Sequence, residues 1–297
     1  MKLVATLISS PSLPAVDNFV IGKAATALNT VSSCSILAEG IAADLFFDGN
    51  ISAVKSHEQV IRLSLGSSPV DIIIQPADNR RKKLFLADMD STIIQQECID
   101  ELADEAGFGE KVATITERAM RGEITFEPAL RERVNLLKGL PLAVIHHVLA
   151  NRIVLTPGAQ ELVKTMRENG TYTCLVSGGF TAFTESIATR VGFHEHRANV
   201  LEAEGDYLSG YVREPILGKA AKLTTLKDLR EKLALDKNDT LATGDGANDL
   251  DMILEAGTGI AFHAKPAVAE AAPHRIIYGD LTALLYIQGY KGSEFIH

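Results

Sequence analysis

The chain has 297 residues, of which 46% are hydrophobic and 23% charged, and its formal net charge is −9. This composition is typical of a globular protein of one or two domains and excludes collagen-like and extensively disordered classes. The acidic balance and the scattered basic residues argue against nucleic acid as a partner. No apolar run approaches the roughly 20 residues of a membrane-spanning helix. Cys34, Cys98 and Cys174 fit neither a disulfide framework nor a zinc site, so we expect a cytoplasmic protein without membrane contact.

The first part of the chain predicts a small α+β domain. Residues 3–76 give the order strand, helix, two strands, helix, strand. The predicted elements are 3–8, 16–28, 33–38, 41–47, 53–65 and 70–75. That order indicates a split βαβ sandwich of the ferredoxin-like kind. The polar, basic segment 76–83 then interrupts the periodicity, which predicts a linker and a domain boundary near residue 80.

The rest of the chain predicts a parallel sheet covered by helices on both faces, because short apolar segments alternate with helical patterns. The expected strands are 84–87, 172–176, 240–243, 259–262 and 275–277. The stretch at about 97–154 holds several helical patterns and no strand candidate, which predicts a helical insertion. After it, Thr156 and Pro157 predict the N-cap and first position of a helix, and Gly170 predicts its end.

Polar side chains follow three of the predicted strands. Asp88 and Asp90 follow the first, Ser177 and Gly178 follow the second, and the segment 244–251 follows the third. Each set alone is most simply a polar turn or a strand-to-helix turn. The three sets together favour a ligand-binding site, because open α/β sheets bind ligands at the carboxyl ends of their strands. The third set carries four acidic or amide side chains within seven residues, which predicts a hard metal ion.

In their order along the chain, these residues resemble the four motifs of the haloacid dehalogenase-type phosphatases. The insertion, through segments 126–134 and 135–141, is similar to that of the phosphoserine phosphatase group, and the similarity covers about 84–288. It implies a Rossmann-like α/β domain over 81–297 with a helical cap at about 97–154. It also implies hydrolysis of phosphoserine to serine and phosphate through an aspartyl-phosphate, the last step of serine biosynthesis. The motifs are Asp88-Met89-Asp90-Ser91-Thr92, Ser177-Gly178-Gly179, Lys222 and Gly244-Asp245-Gly246-Ala247-Asn248-Asp249.

The resemblance implies catalytic and metal-binding roles for named residues. Asp88 is the expected nucleophile, and Asp90 is the expected acid and base for the leaving serine and the attacking water. The carboxylates of Asp88 and Asp245 and the backbone carbonyl of Asp90 are the expected Mg²⁺ ligands. Asp249 is expected to orient either Lys222 or a metal-bound water.

The resemblance also implies how the substrate is held. Ser177, Gly178 and Lys222 are expected to bind the phosphoryl oxygens, and Asn248 is expected to contact substrate or phosphate. From the cap, Glu97 would bind the substrate amino group and Arg133 its carboxylate, because a guanidinium can bind both oxygens in one plane. Met120 and Phe126 are candidates for an apolar wall.

Several alternatives stay open from the sequence alone. A related capped phosphatase would act on phosphohomoserine, phosphothreonine or another small phosphate ester. In a different class, the chain would be an amino-acid-sensing module whose phosphatase fold is inactive. The order of elements in residues 1–80 resembles regulatory domains of the ACT type, which makes serine binding there a hypothesis. A homodimer is also open.

Overall fold

The computed structural model describes residues 1–120 and 123–297, apart from the side chain of Met120. Its N-terminal region contains the six predicted elements in the predicted order. Their sheet has the antiparallel order β2-β3-β1-β4, which confirms the ferredoxin-like arrangement. Both helices pack on this sheet over an apolar core. The elements are β1 (Lys2–Ile8), α1 (Asn18–Leu28), β2 (Val31–Ala38), β3 (Ala42–Asp48), α2 (Val54–Leu65) and β4 (Asp71–Pro76).

A second sheet has six parallel strands in the order β12-β11-β10-β5-β6-β7. The four strands from β11 to β6 are buried except for Tyr172, Gly178 and Gly179 of β6, as expected of a sheet with helices on both faces. The strands are β5 (Leu84–Ala87), β6 (Tyr172–Phe180), β7 (Glu195–Asn199), β10 (Thr240–Gly244), β11 (Thr258–Phe262) and β12 (His274–Ile276).

Helices connect the strands of this sheet and form the predicted insertion. The insertion follows β5 and consists of α3 (Cys98–Glu105), α4 (Gly109–Met120), α5 (Phe126–Asn135) and α6 (Ala143–Asn151). The helices that cover the sheet are α7 (Ala159–Glu168), α8 (Thr181–Val191), α9 (Lys219–Lys232), α10 (Leu250–Glu255), α11 (Pro266–Ala271) and α12 (Ala283–Ile287).

Three strands were not predicted. β7 is polar because it lies at the edge of the sheet, where its first residues are half-buried. The antiparallel hairpin β8 (Leu201–Glu204) and β9 (Tyr207–Val212) lies outside the main sheet. The hairpin forms backbone hydrogen bonds with the insertion: the N–H of Gly139 donates to Leu208 O, and the N–H of Leu142 donates to Asp206 O. The hairpin therefore supports the insertion from the side of the sheet.

Two predicted boundaries need correction, and one is confirmed. The N-cap at Thr156 is wrong, because α7 begins at Ala159 after Gly158, whose φ of 83° places a turn before the helix. The second strand runs to Phe180 rather than ending at residue 176, so the segment 177–179 belongs to its last, irregular residues and does not open the helix. Gly170 ends α7 as predicted, with φ of +81° and the backbone bond from Thr171 to Met166 O.

The predicted linker is anchored between the two sheets. The side chain of Arg80 forms an ion pair with Asp44, and the ammonium of Lys82 donates to the carbonyls of Asn79 and Asn238. Both basic side chains are therefore buried rather than solvated. The domain boundary near residue 80, serine binding to residues 1–80 and the homodimer stay predictions. Among the helices of residues 1–120 and 123–297, none is long and apolar enough to cross a membrane.

Candidate active site

The order of the parallel sheet brings the three predicted motifs to one edge. The central strand β5 lies between β10 and β6, which follow it much later in the chain. Asp88 comes directly after β5, Asp245 directly after β10, and Ser177 near the end of β6. The Asp88 backbone also donates to Thr243 O across the β5–β10 pair. After β5 the chain adds β6 and β7 on one side of that strand, and β10, β11 and β12 on the other. Such a change of side opens a crevice at the carboxyl ends of the strands.

The ammonium of Lys222 lies buried between two carboxylates. Its Nζ atom is 2.6 Å from Asp88 Oδ1 and 2.5 Å from Asp249 Oδ1, and all three side chains are at most 7% exposed. Burial lowers the pKa of Lys222, but the two carboxylates outweigh burial and hold that pKa above its ordinary value. Lys222 therefore stays positively charged, and its contact with Asp249 holds the ammonium in place.

The two oxygens of Asp88 have different surroundings. Oδ1 accepts from the Met89 backbone at 2.8 Å and from Lys222. Oδ2 has no hydrogen bond to any described residue, so it remains available to react or to bind a ligand. Burial and the charge of Asp249 raise the pKa of Asp88 well above its ordinary value, and Lys222 lowers it only in part.

The carboxylates at this edge fit a divalent cation. Oxygen atoms of Asp88, Asp245 and Asp249, all buried, lie within 4.8 Å of one another. Two ammonium groups, those of Lys222 and Lys265, act on these three carboxylates, so the buried negative charge is not fully compensated, which is unfavourable. Carboxylate oxygens are the ligands that Mg²⁺ prefers. Burial and Asp249 accordingly raise the pKa of Asp245, a repulsion that a bound cation would relieve.

Asp90 has contacts suited to a proton carrier. Its Oδ1 accepts from the backbone of Cys98 at 2.9 Å, and its Oδ2 accepts from the Ser177 hydroxyl at 3.1 Å. Burial raises the pKa of Asp90, while these hydrogen bonds lower it in part. A carboxyl group with a raised pKa holds a proton more readily at neutral pH, as a general acid must.

One of the glycines beside Ser177, Gly179, lies where a side chain would crowd its neighbours. A Cβ atom on Gly179 would lie 3.0 Å from Ser177 Oγ and 3.1 Å from Asp90 Oδ2. Instead, the Gly179 backbone donates to Ser177 Oγ at 2.8 Å. The carbonyl of Gly178 accepts from Asn199 at 2.8 Å, which fixes the orientation of that peptide. These bonds fix the segment, and the Ser177 hydroxyl, which donates its only proton to Asp90, would have to turn from Asp90 to bind a phosphate oxygen.

The insertion faces this edge as a cap. Glu97, Phe126 and Arg133 line a cleft of about 140 Å³ together with Asp88, Asp90, Gly178, Asp245 and Asn248. Ring atoms of Phe126 come within 3.5 Å of where a Cβ on Gly178 would lie, which supports its predicted place in an apolar wall. Met120, the other predicted wall residue, has a side chain outside the described residues. A cleft of this size suits a small substrate.

Glu97 and Arg133 provide opposite charges on the cap side. Glu97 accepts from the Ser91 hydroxyl at 2.7 Å. Desolvation in the cleft and the charge of Asp90 raise the pKa of Glu97 to about 7. Burial lowers the pKa of Arg133, although nearby carboxylates oppose that shift; a guanidinium stays charged regardless. The two groups match the ammonium and carboxylate of an amino acid.

The sequence did not predict Lys265 as a site residue, and it left open whether Asp249 orients Lys222 or a metal-bound water; the structure pairs Asp249 with Lys222. Lys265 follows β11, lines the cleft, and its backbone donates to Asp245 O at 3.1 Å. The strand-end argument used for the other motifs would have found it. A larger cavity of about 680 Å³ lies elsewhere, at Lys82 and His274, and contains none of the predicted site residues. The chemistry of the small cleft, rather than cavity size, therefore identifies the site.

The sequence profile of the haloacid dehalogenase-like hydrolases matches residues 85–254. The chain belongs to this family. A probable phosphoserine phosphatase of Schizosaccharomyces pombe is 46% identical over 216 residues, which are 72% of either chain. A phosphoserine phosphatase of Streptococcus thermophilus is 47% identical and aligns over 71% of this chain and 98% of its own length.

Similarity to another haloacid dehalogenase-like hydrolase extends to the N-terminal region. The crystal structure of a family member from Salmonella enterica serovar Typhi superposes with a TM-score of 0.84 at 30% identity, covering 97% of this chain and 98% of the other. The combination of a ferredoxin-like region and a capped α/β hydrolase is therefore a shared architecture. These likenesses confirm the predicted fold class.

Proposed function

We propose that this haloacid dehalogenase-like hydrolase is a phosphoserine phosphatase, which hydrolyses O-phospho-L-serine to serine and phosphate. The observation that carries the proposal is the pairing of two half-sites across one cleft. Asp88 lines the cleft at the sheet edge and is paired with Lys222, and Glu97 and Arg133 line the cleft from the cap. The first pair suits a phosphoryl group and the second suits an amino acid. The names of the relatives at 46% and 47% identity support the same substrate.

In the first step, Asp88 Oδ2 would attack phosphorus, and the bond from phosphorus to the serine oxygen would break. Asp90 would give its proton to the departing oxygen, which the raised pKa of its carboxyl group favours. Lys222 and the Ser177 hydroxyl would offset the negative charge on the phosphoryl oxygens. The products of this step are serine and a phosphoryl group on Asp88.

In the second step, water would attack phosphorus and displace the Asp88 carboxylate. Asp90, now a carboxylate, would accept the proton of that water, so the enzyme returns to its starting state with phosphate released. The cap would exclude bulk water during the first step. Its residues Glu97 and Arg133 would hold serine's ammonium and carboxylate through charge complementarity.

We further propose that the enzyme depends on Mg²⁺. The carboxylates of Asp88 and Asp245 and the carbonyl of Asp90 would hold the ion, with Asp249 beside it. When bound, the ion supplies positive charge at the phosphoryl oxygens. The unpaired Cys34, Cys98 and Cys174 favour a reducing, cytoplasmic location for the enzyme.

The test compares turnover of phosphoserine with that of an aryl phosphate, with added Mg²⁺ and with the metal chelated. We expect kcat/KM to favour phosphoserine and both activities to require the metal. The matched cap variant Arg133→Ala should lower kcat/KM for phosphoserine and spare the aryl phosphate. Equal efficiency on both substrates in the native enzyme would refute the amino-acid specificity, and full activity in chelator would refute the metal requirement.

A further inference from the structure

The larger cavity, of about 680 Å³, lies between the N-terminal region and the parallel sheet. Its walls come from the start of α2, the end of β4, the segment 78–82 and the first residues of β11 and β12. The active site lies at the carboxyl ends of the parallel strands, so the amino ends of β11 and β12 place this cavity at the opposite edge of the sheet. The residues that line the cavity and those that line the cleft have no member in common. A ligand in the cavity would contact both parts of the chain without entering the active site.

The cavity wall contains a buried lysine, Lys82, which is 7% exposed. Its Nζ atom donates to the carbonyls of Asn79 at 3.0 Å and Asn238 at 2.8 Å, and both of these residues also line the cavity. An ammonium has three N–H donors, so one of them is left without a partner among the described residues. Lys82 also forms no ion pair with a described carboxylate, because the nearby Asp239 pairs with Lys83 instead. A buried ammonium without a carboxylate partner is unfavourable, and a bound anion would relieve that cost.

Two further polar side chains of the cavity wall have no hydrogen bond to a described residue. One is the hydroxyl of Thr258 at the start of β11, where the residue is 4% exposed. The other is the imidazole of His274 at the start of β12. Desolvation and the charge of Lys82 lower the pKa of His274 to about 4, so its ring is neutral at neutral pH and has one N–H to donate. Both groups are therefore available to donate to a ligand.

The charged groups around the cavity favour an anion. Lys55 is exposed in the first turn of α2 and lines the cavity. This helix begins beside the cavity without a side-chain cap at Ala53, and the N-terminal end of a helix carries partial positive charge. Among the described residues that line the cavity, Asp78 is the one carboxylate, and it is exposed to solvent. The cavity therefore has a positive wall in a chain whose formal net charge is −9.

We propose that the larger cavity binds a small organic anion through Lys82, Lys55 and Thr258. The unused N–H of Lys82 and the Thr258 hydroxyl would donate to the anionic oxygens, and Lys55 would add charge at the rim. The volume is in the range of about 300–1,000 Å³ that is typical of small-molecule sites, so it suits a metabolite with carboxylate or phosphate groups. This binding site goes beyond the proposed function and does not depend on the substrate of the active site.

The test is thermal unfolding of the full chain in sodium succinate, a dicarboxylate, and in sodium sulfate, an oxyanion that stands in for phosphate. Sodium chloride at the same ionic strength is the reference. We expect at least one anion, at about ten times its Kd, to raise the thermal midpoint of the native protein by about 3 °C. The variants Lys82→Met, Lys55→Ala and Thr258→Val should lose most of that shift. Lys23→Ala, which removes an exposed lysine of α1 outside the cavity, should keep it.

The variants separate binding in the cavity from other effects of the anions. Sulfate also stabilises proteins by exclusion from their surface, and either anion can enter the active site, but these effects are the same in the native protein and the cavity variants. If Lys82→Met does not fold, Lys55→Ala and Thr258→Val decide, since neither residue takes part in the hydrogen bonds of Lys82. A larger shift in succinate would assign the site to carboxylates, and a larger shift in sulfate would assign it to phosphates. Equal shifts in the native protein and the cavity variants, or no shift beyond that in chloride, would overturn the inference.

Discussion

The ion pair between Arg80 and Asp44 makes a quantitative prediction about how the two sheets are held together. Arg80 Nη1 is 2.6 Å from Asp44 Oδ2, and Nη2 is 3.0 Å from Oδ1, which is a bidentate geometry. The side chains are 9% and 2% exposed. Arg80 also donates to the carbonyls of Tyr286 and Ile287, the last two residues of α12. One guanidinium thus joins the N-terminal sheet to α12.

The change Arg80→Ala leaves the Asp44 carboxylate buried, with only the hydroxyl of Thr6 as a side-chain partner. Removing one member of a buried ion pair costs about 3–5 kcal/mol. That is a large share of the roughly 5–15 kcal/mol by which a typical domain is stable. We therefore expect Arg80→Ala to lower the free energy of unfolding by about 3 kcal/mol or more.

The adjacent residue provides a matched control. Arg81 forms its ion pair with Glu294 where the side chains are 47% and 37% exposed, and it also stacks on Tyr290. Exposed pairs contribute about 0–1 kcal/mol, and a cation–π contact whose cation stays half-exposed, as Arg81 does over the buried ring of Tyr290, contributes about 1 kcal/mol. Arg81→Ala should therefore lower the free energy of unfolding by less than about 2 kcal/mol.

The assay is urea denaturation of the full chain at neutral pH, with the free energy of unfolding obtained by linear extrapolation. The double variant Asp44→Leu/Arg80→Met should be more stable than Arg80→Ala, because it leaves no unpaired buried charge. If Arg80→Ala proved no more destabilising than Arg81→Ala, the buried network would not hold the sheets together as described.

Two further predictions concern the cleft. Because burial and the charge of Asp90 raise the pKa of Glu97 to about 7, its carboxylate is lost as pH falls. The ratio of native to Glu97→Gln kcat/KM for phosphoserine should therefore decrease toward one as pH falls from 8 to 5. A ratio independent of pH in this range would contradict the role of Glu97. A Cβ on Gly244 would lie 2.3 Å from Asp249 Cγ. Gly244→Ala should therefore displace Asp249 from Lys222 and lower kcat at least about tenfold. The control is Gly22→Ala in α1, where an added Cβ meets no atom within 4 Å, so kcat should be unchanged. Steady-state kinetics of the two alanine variants checks this, and equal kcat values would refute it.

The parts of the fold that sequence predicts well are those where local pattern and burial agree. The strands before Asp88 and Asp245 are short segments without charged residues, and the structure buries them completely. β7 escaped prediction because an edge strand tolerates polar residues such as Glu195 and Arg197, which form an ion pair with each other.

The residues of the candidate site also differ in how well the sequence alone predicts them. Asp88, Asp90 and Asp245 could be predicted because each follows a recognisable strand, and parallel strands bring their ends to one edge. Lys222 carries no such signal, since a lone lysine in a helix is usually solvated. Only the three-dimensional structure shows that its ammonium lies buried between Asp88 and Asp249.

The account depends most on Asp88 as the nucleophile. The most direct measurement is a rapid acid quench of the enzyme during turnover of phosphoserine, followed by mass spectrometry of its peptides. We predict a phosphoryl group on Asp88, absent in Asp88→Asn together with turnover. A phosphoryl group on another residue, or turnover that persists in Asp88→Asn, would contradict the account.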